Sequence, residues 1–190
     1  MNKIKVSFEG IKVLFKIEDF DLFKIIKKRL KSFISNEKET HAIIEYNKEK
    51  VSFSSKNKKI NKSLKRLEII SKKFKMTSNE TDKYIKFKFS VQPYIEILLL
   101  QFDRLVIHSS FVQKNKEGFM FVGQRKFLIG GDGKTTICKL IKKKKVINDD
   151  NNIIWIERNS FLGSSFFLQG RLKPNKGKIP IKKIFFLKKK

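Results

Sequence analysis

An α/β fold is expected from this chain: a small α+β leader over residues 1–90, then a mixed-sheet strand–loop–helix unit over 91–190. Three observations predict it. Short apolar runs with a period of two recur along the chain, the pattern of half-buried strands. Phe23, Ile26, Leu30, Phe33 and Ile34 fall on one stripe while lysines take the other face, the pattern of an amphipathic helix. The glycine-rich stretch Gly130-Gly131-Asp132-Gly133-Lys134-Thr135-Thr136 lies between an apolar segment and Ile137-Cys138-Lys139-Leu140-Ile141, where a strand should hand over to a helix.

Taken in order, Ile4 to Phe8 alternates, turns at Glu9-Gly10 and returns through Ile11 to Ile17 as a hairpin. Asp19 or Asp21 can cap a helix reaching about Ile34. Ala42–Tyr46 and Val51–Phe53 read as short strands about Asn47-Lys48. The lysine-rich stretch 56–80 suits either a helix or an exposed excursion, since Leu64, Leu67 and Ile70 have partly helical spacing. Tyr84–Phe89 alternates and predicts a strand, after which Pro93 opens an apolar helix over 92–103. Leu105–Val112 and Gly118–Val122 are strands joined by Asn115-Lys116-Glu117. The glycine loop leads into a helix to about Lys144, followed by Val146-Ile147, the acid pair Asp149-Asp150, and strands at Ile153–Ile156 and Ile179–Leu187.

Composition narrows the function classes. With 40% hydrophobic residues and 19 phenylalanines, the chain of 190 residues can build a packed interior. The single Cys138 excludes an intramolecular disulfide framework and a multi-cysteine zinc site, and a small buried apolar role is expected for it. No signal peptide or spanning segment is visible, so a cytoplasmic protein with no membrane partner is expected. The net charge of +27 implies nonspecific affinity for polyanions. A specific nucleic-acid reader is not expected. Only six of the 45 basic residues are Arg, the type that forks onto bases and phosphates, and the lysines run the length of the chain without marking one face.

The glycine loop carries the chemistry. Glycines at Gly130, Gly131 and Gly133 let backbone N–H groups turn inward toward an anion. A lysine reaches β and γ oxygens of a polyphosphate, a hydroxyl ligates Mg²⁺, and the following helix adds its N-terminal dipole. Lys134, Thr135 and Thr136 supply those types in that order. Adjacent carboxylates at a strand end, as at Asp149 and Asp150, can hold a metal and orient a nucleophile. Each residue also has a plain structural reading: Asp149-Asp150-Asn151-Asn152 as a turn, His108 as a satisfied core histidine, and His41 as structural or exposed.

Four features in sequence now resemble the HPr kinase/phosphorylase family and its HPr-kinase-like relatives, which share a core with ATP-dependent phosphoenolpyruvate carboxykinases. A strand bears His108, Gly118–Gly123 follows, the loop ends Gly133-Lys134-Thr135-Thr136, and Val146–Asp150 closes a short strand on adjacent acids. The resemblance is densest over 105–157. It implies a P-loop core and ATP-dependent transfer of a γ-phosphoryl group to a hydroxyl, with ATP or another purine nucleoside triphosphate and Mg²⁺. It implies that Lys134 binds β and γ oxygens, that Thr135 ligates Mg²⁺, and that His108 lies near the phosphates. Of Asp149 and Asp150, one would hold the metal and the other accept the proton, with Asp149 the candidate metal ligand and the reverse assignment equally open. A catalytically degenerate nucleotide-binding or regulatory module is the alternative. The chain departs from the family pattern in three ways. Leu128 stands where the loop's first glycine belongs, unless Gly123 supplies that turn and 124–129 bulge out. No glycine-rich acceptor motif is present, so the acceptor stays undefined. The family's sheet continues where this sequence stops, implying an incomplete domain.

Overall fold

The computed structural model describes residues 1–47, 50–63, 65, 82–123, 133–141, 145–168 and 177–187. The chain forms two compact units, Met1–Phe102 and Asp103–Lys190. Both α and β structure are present, with strands predominating.

The first unit is a four-stranded sheet in sequence order, with helices on one face. Strands β1 (Asn2–Phe8) and β2 (Ile11–Ile17) form the expected hairpin, in register from Asn2 opposite Ile17 to Phe8 opposite Ile11. Helix α1 (Phe20–Arg29) carries the chain to β3 (Ala42–Asn47), which lies parallel to β2, and β4 (Lys50–Ser55) pairs antiparallel with β3. Period-two alternation puts Ile4, Val6, Phe8, Val13, Phe15, Ile17, Ala42, Ile44 and Tyr46 inside. The Asp19 carboxylate caps α1 by accepting from the N–H groups of Asp21 and Leu22, both at 2.9 Å. The helix ends at Arg29, and a 3₁₀ turn over Lys31–Phe33 completes the stretch expected to be helical to Ile34.

The segment 84–89 is a correction. It is no strand but the start of helix α2 (Lys83–Leu100), which runs unbroken through residue 90 with Pro93 in its interior. Alternating Tyr84, Lys86 and Lys88 with Ile85, Phe87 and Phe89 suggested a strand, but Tyr84, Phe87, Val91, Tyr94, Ile95, Leu98 and Leu99 form one buried helical stripe. The deciding local signal is Asp82, whose side chain accepts from the N–H groups of Tyr84 and Ile85 at 2.7 and 3.2 Å. Phe87 then meets Phe15 and Tyr46 edge-on at 5.8 and 5.2 Å, locking helix to sheet. Of the ambiguous stretch 56–80, residues 58–63 are helical, and 64 and 66–80 lie outside the described residues.

The second unit contains strands β5 (Leu105–Lys114), β6 (Glu117–Gly123), β7 (Lys145–Asn148), β8 (Asn151–Glu157), β9 (Ser160–Ser165) and β10 (Ile179–Leu187), with helix α3 (Lys134–Leu140) between β6 and β7. Five of these strands close on themselves as β5-β6-β10-β9-β8, and β7 follows β8 along the same edge of β5, opposite Phe111–Gln113. Every pairing is antiparallel except that of β6 with β10. This closed barrel was not expected from the sequence, and neither was β9. Its Ser160-Phe161-Leu162-Gly163-Ser164-Ser165 has little β-branched or periodic apolar content, yet Leu162 to Ser165 are buried.

Phe111, Met120, Ile147 and Ile179 fill the barrel with Val122, Ile154, Ile181 and Ile184 around them. The Phe111 ring needs glycine on two sides. A Cβ on Gly118 would stand 2.6 Å from Phe111 Cε2, and one on Gly163 would stand 3.0 Å from the same ring. On the outer surface α3 lays Cys138 against Val112 and Phe121, so Cys138 is the small buried residue expected of it. Phe185 stacks on Phe121 at 5.1 Å.

Candidate functional site

The acid pair sits where the partner of β5 breaks. Asn148 of β7 lies opposite Phe111, and Asn151 of β8 lies opposite His108. Asp149 and Asp150 fill the interval as a turn flanking Ser109 and Ser110. The Ser109 N–H donates to the Asp150 carbonyl at 2.7 Å, so the main chain stays bonded to β5 across the break.

Three asparagines hold this turn. Asn148 Nδ2 donates to the Asn151 carbonyl at 2.5 Å, and the Asp149 N–H donates to Asn148 Oδ1 at 2.9 Å. Asn148 therefore staples both ends of the acid pair. Asn152 Nδ2 donates to the Ser109 carbonyl at 2.6 Å and to its hydroxyl at 3.0 Å. The Phe166 N–H donates to the Asn151 carbonyl at 3.1 Å. All three asparagines are buried, where an unpaired amide is costly, and these bonds offset that cost except at Asn152 Oδ1, which has no hydrogen-bond partner among the described residues. Sequence reasoning missed their role. Asn-Asp-Asp-Asn-Asn is a turn signature, and nothing in it distinguishes an exposed turn from a buried scaffold.

His108 and Asp150 come together across the same break. His108 Nδ1 lies 3.0 Å from Asp150 Oδ1 and 3.2 Å from Asn151 Oδ1. Both neighbours are oxygen acceptors, so the neutral ring carries its proton on Nδ1 and presents the Nε2 lone pair elsewhere. About a third of each side chain is exposed, 34% for His108 and 32% for Asp150, so the pair is within reach of a ligand. His108 is thus no sealed core histidine. His41 is structural: its Nδ1 accepts the Lys12 N–H at 2.9 Å and its ring meets Phe102 edge-on.

Of the expected phosphate loop, Gly130 and Gly131 lie outside the described residues, as do Leu128 and the rest of 124–132. Gly133 caps α3 with φ of 75°, a left-handed conformation that glycine adopts without strain. Lys134 opens the helix and is only 8% exposed, which is unusual for lysine. Thr136 is exposed in the first turn, and the Thr135 hydroxyl, the expected Mg²⁺ ligand, lies outside the described atoms. None of Lys134, Asp149 and Asp150 is a free charge. The helix is seven residues long, so its dipole is weaker than the expectation assumed.

Among the described residues, no group of three or more His, Cys, Asp or Glu converges to hold a metal ion. Asp149 is half-buried next to the His108–Asp150 pair.

Compared with family models, curated proteins and solved structures, the chain matches none.

Proposed function

We propose that the second unit is an ATP-dependent phosphotransferase of the HPr-kinase-like kind, moving the γ-phosphoryl group of a purine nucleoside triphosphate to a hydroxyl. The observation that carries this reading is the junction Gly133-Lys134: a left-handed glycine followed at once by a lysine buried at the mouth of a helix. A lysine withdrawn from solvent has its charge less screened, so it stabilises developing phosphate charge more than an exposed one would.

The His108–Asp150 pair supplies the second component. Asp150 fixes the Nδ1–H tautomer of His108, leaving Nε2 to take the proton of the acceptor hydroxyl. As that oxygen bonds to the γ phosphorus, the bond to the β–γ bridging oxygen breaks and the nucleoside diphosphate leaves with the electron pair. Lys134 draws off the charge that accumulates on the leaving side. Mg²⁺, bound with the nucleotide through Asp149 and the Thr135 hydroxyl, would neutralise the phosphates. The resemblance permits either acid as base, and the hydrogen bond from His108 favours Asp150 as the orienting partner of a histidine base.

The short helix favours a second reading, a module that binds nucleotide without transfer. Titration with labelled nucleotide beside a phosphorylation assay on casein and free serine separates the two. Transfer that falls about a hundredfold or more in Lys134→Ala supports the kinase. Transfer unchanged in that variant rejects the assignment, and binding with no transfer by the unaltered chain establishes the module.

A further inference from the structure

The sheet of the first unit has two edges, and they are finished differently. Along β1 the chain returns to cover the edge: Ile34 bridges to Val6, and the Ser35 N–H donates to the Lys5 carbonyl at 3.0 Å. Lys3 and Lys5 stand on the same strand, charges that discourage a further strand. Along β4, only Ser55 is closed off among the described residues. Its N–H donates to Asn61 Oδ1 at 2.7 Å and its carbonyl accepts from Asn61 Nδ2 at 2.5 Å, so one side-chain amide stands in for the next strand. In an antiparallel ladder alternate residues turn both backbone groups the same way, so Phe53 and Val51 face outward like Ser55. Among the described residues nothing bonds to their outward N–H and C=O groups. Lys50 at the start is the single charge of β4, and the strand carries no proline or bulge to guard it. The Phe53 ring is already fixed, stacked on Tyr94 with centroids 6.2 Å apart.

We propose that β4 pairs with β4 of a second copy of this chain, joining two four-stranded sheets into one. The strip is complementary to itself. Antiparallel pairing about Ser52 places Val51 opposite Phe53 of the second copy and Phe53 opposite its Val51, so the outward groups of both residues find partners on both strands. Each such pair joins a β-branched residue to an aromatic one, a favourable cross-strand combination. Lys50 then lies opposite Ser54, so no like charges meet. Asn61 helps to fix the register. Sliding the strands one way would set Val51 opposite Ser55, whose backbone groups Asn61 already holds, and sliding them the other way would carry Phe53 past Lys50, where the second β4 begins. The two-fold axis at Ser52 makes the contact isologous, and such a contact closes at a dimer. A foreign strand would meet the same backbone groups without this match at both ends. This inference belongs to the first unit and is independent of the phosphotransferase reading.

The test is sedimentation equilibrium of the full chain over a range of concentrations at about 0.3 M salt, where repulsion between copies of net charge +27 is screened within several ångströms. A monomer–dimer equilibrium is expected. Ser52 is exposed and lies on the axis, where its Cα would stand about 4.5 Å from that of its counterpart in a non-hydrogen-bonded pair. Under mild oxidation Ser52→Cys should therefore give a disulfide-linked dimer. Ser54→Cys, also exposed but displaced from the axis, should not. The native Cys138 is buried and takes no part. Val51→Pro removes an outward donor and no bond to β3, and it should weaken the dimer about tenfold or more. A chain that stays monomeric overturns the proposal. So does a dimer that Ser52→Cys fails to trap, or one that Ser52→Cys and Ser54→Cys trap alike, since either places the contact elsewhere.

Discussion

Asp150 shows what one side chain can decide. Its carboxylate fixes the proton on His108 Nδ1 at 3.0 Å. In Asp150→Asn the amide can donate to Nδ1, which reverses the tautomer and removes the Nε2 acceptor. If the phosphotransferase reading holds, kcat should fall about a hundredfold or more while KM for nucleotide changes little; steady-state kinetics checks the split. Asp19 gives a second prediction at this scale, for stability. The Leu22 N–H and then the Lys83 ammonium hold its carboxyl below the usual carboxylate range. A group so lowered stabilises the fold above its unfolded pKa, and that contribution disappears as pH falls through the folded value. Urea unfolding between about pH 5 and pH 2 should therefore show a shallower acid loss in Asp19→Ala than in the parent. The residue types at positions 108, 149 and 150 were legible in the sequence, but their partnership was not. It depends on Asn151 falling opposite His108, and an asparagine staple at 148 hidden among turn-forming residues holds it there.

Among the elements, α2 shows how a period can mislead. Tyr84–Phe89 fits a strand and a helix almost equally, and six residues are too few to separate periods of 2 and 3.6. The Asp82 cap and the longer stripe to Leu99 settle it as a helix. Asp82→Ala should destabilise the protein by about 1 kcal/mol, measured as a shift in the denaturant midpoint with unchanged slope. Strand β9 failed for the opposite reason. Its small residues are selected by space, since Gly163 lies against the Phe111 ring. Gly118→Ala is the sharper probe of that packing, because its methyl would meet Phe111 from β6 at 2.6 Å. A loss of about 1–3 kcal/mol is expected by thermal or urea unfolding, and Phe111→Leu in the same background should recover part of it.

At the scale of the whole molecule, the mixed sheet expected of the second unit closes into a ring of five strands. Closure removes sheet edges, which are sites of unwanted pairing. The strand β7 that leads into the acid turn pairs with β5 beyond the end of β8 and sends Ile147 into the barrel core. If nucleotide binds the folded chain, saturation at about a hundred times Kd should add roughly 2.7 kcal/mol of stability. A thermal-shift titration with the triphosphate and Mg²⁺ reads that gain, and Lys134→Ala should abolish it.

The amino-acid order by itself determined the β1–β2 hairpin, the strands on either side of Asn115, the glycine-to-helix handover at Gly133-Lys134 and the cationic character of the chain. These depend on neighbours within a few residues, where period, capping and turn chemistry act. Only the tertiary structure decided the ring of strands, the helix at 83–100, the burial of β9 and the meeting of His108 with Asp150. Those depend on which distant strands share hydrogen bonds and in what register. A period shows which side chains share a face, but it does not show which face will stand opposite.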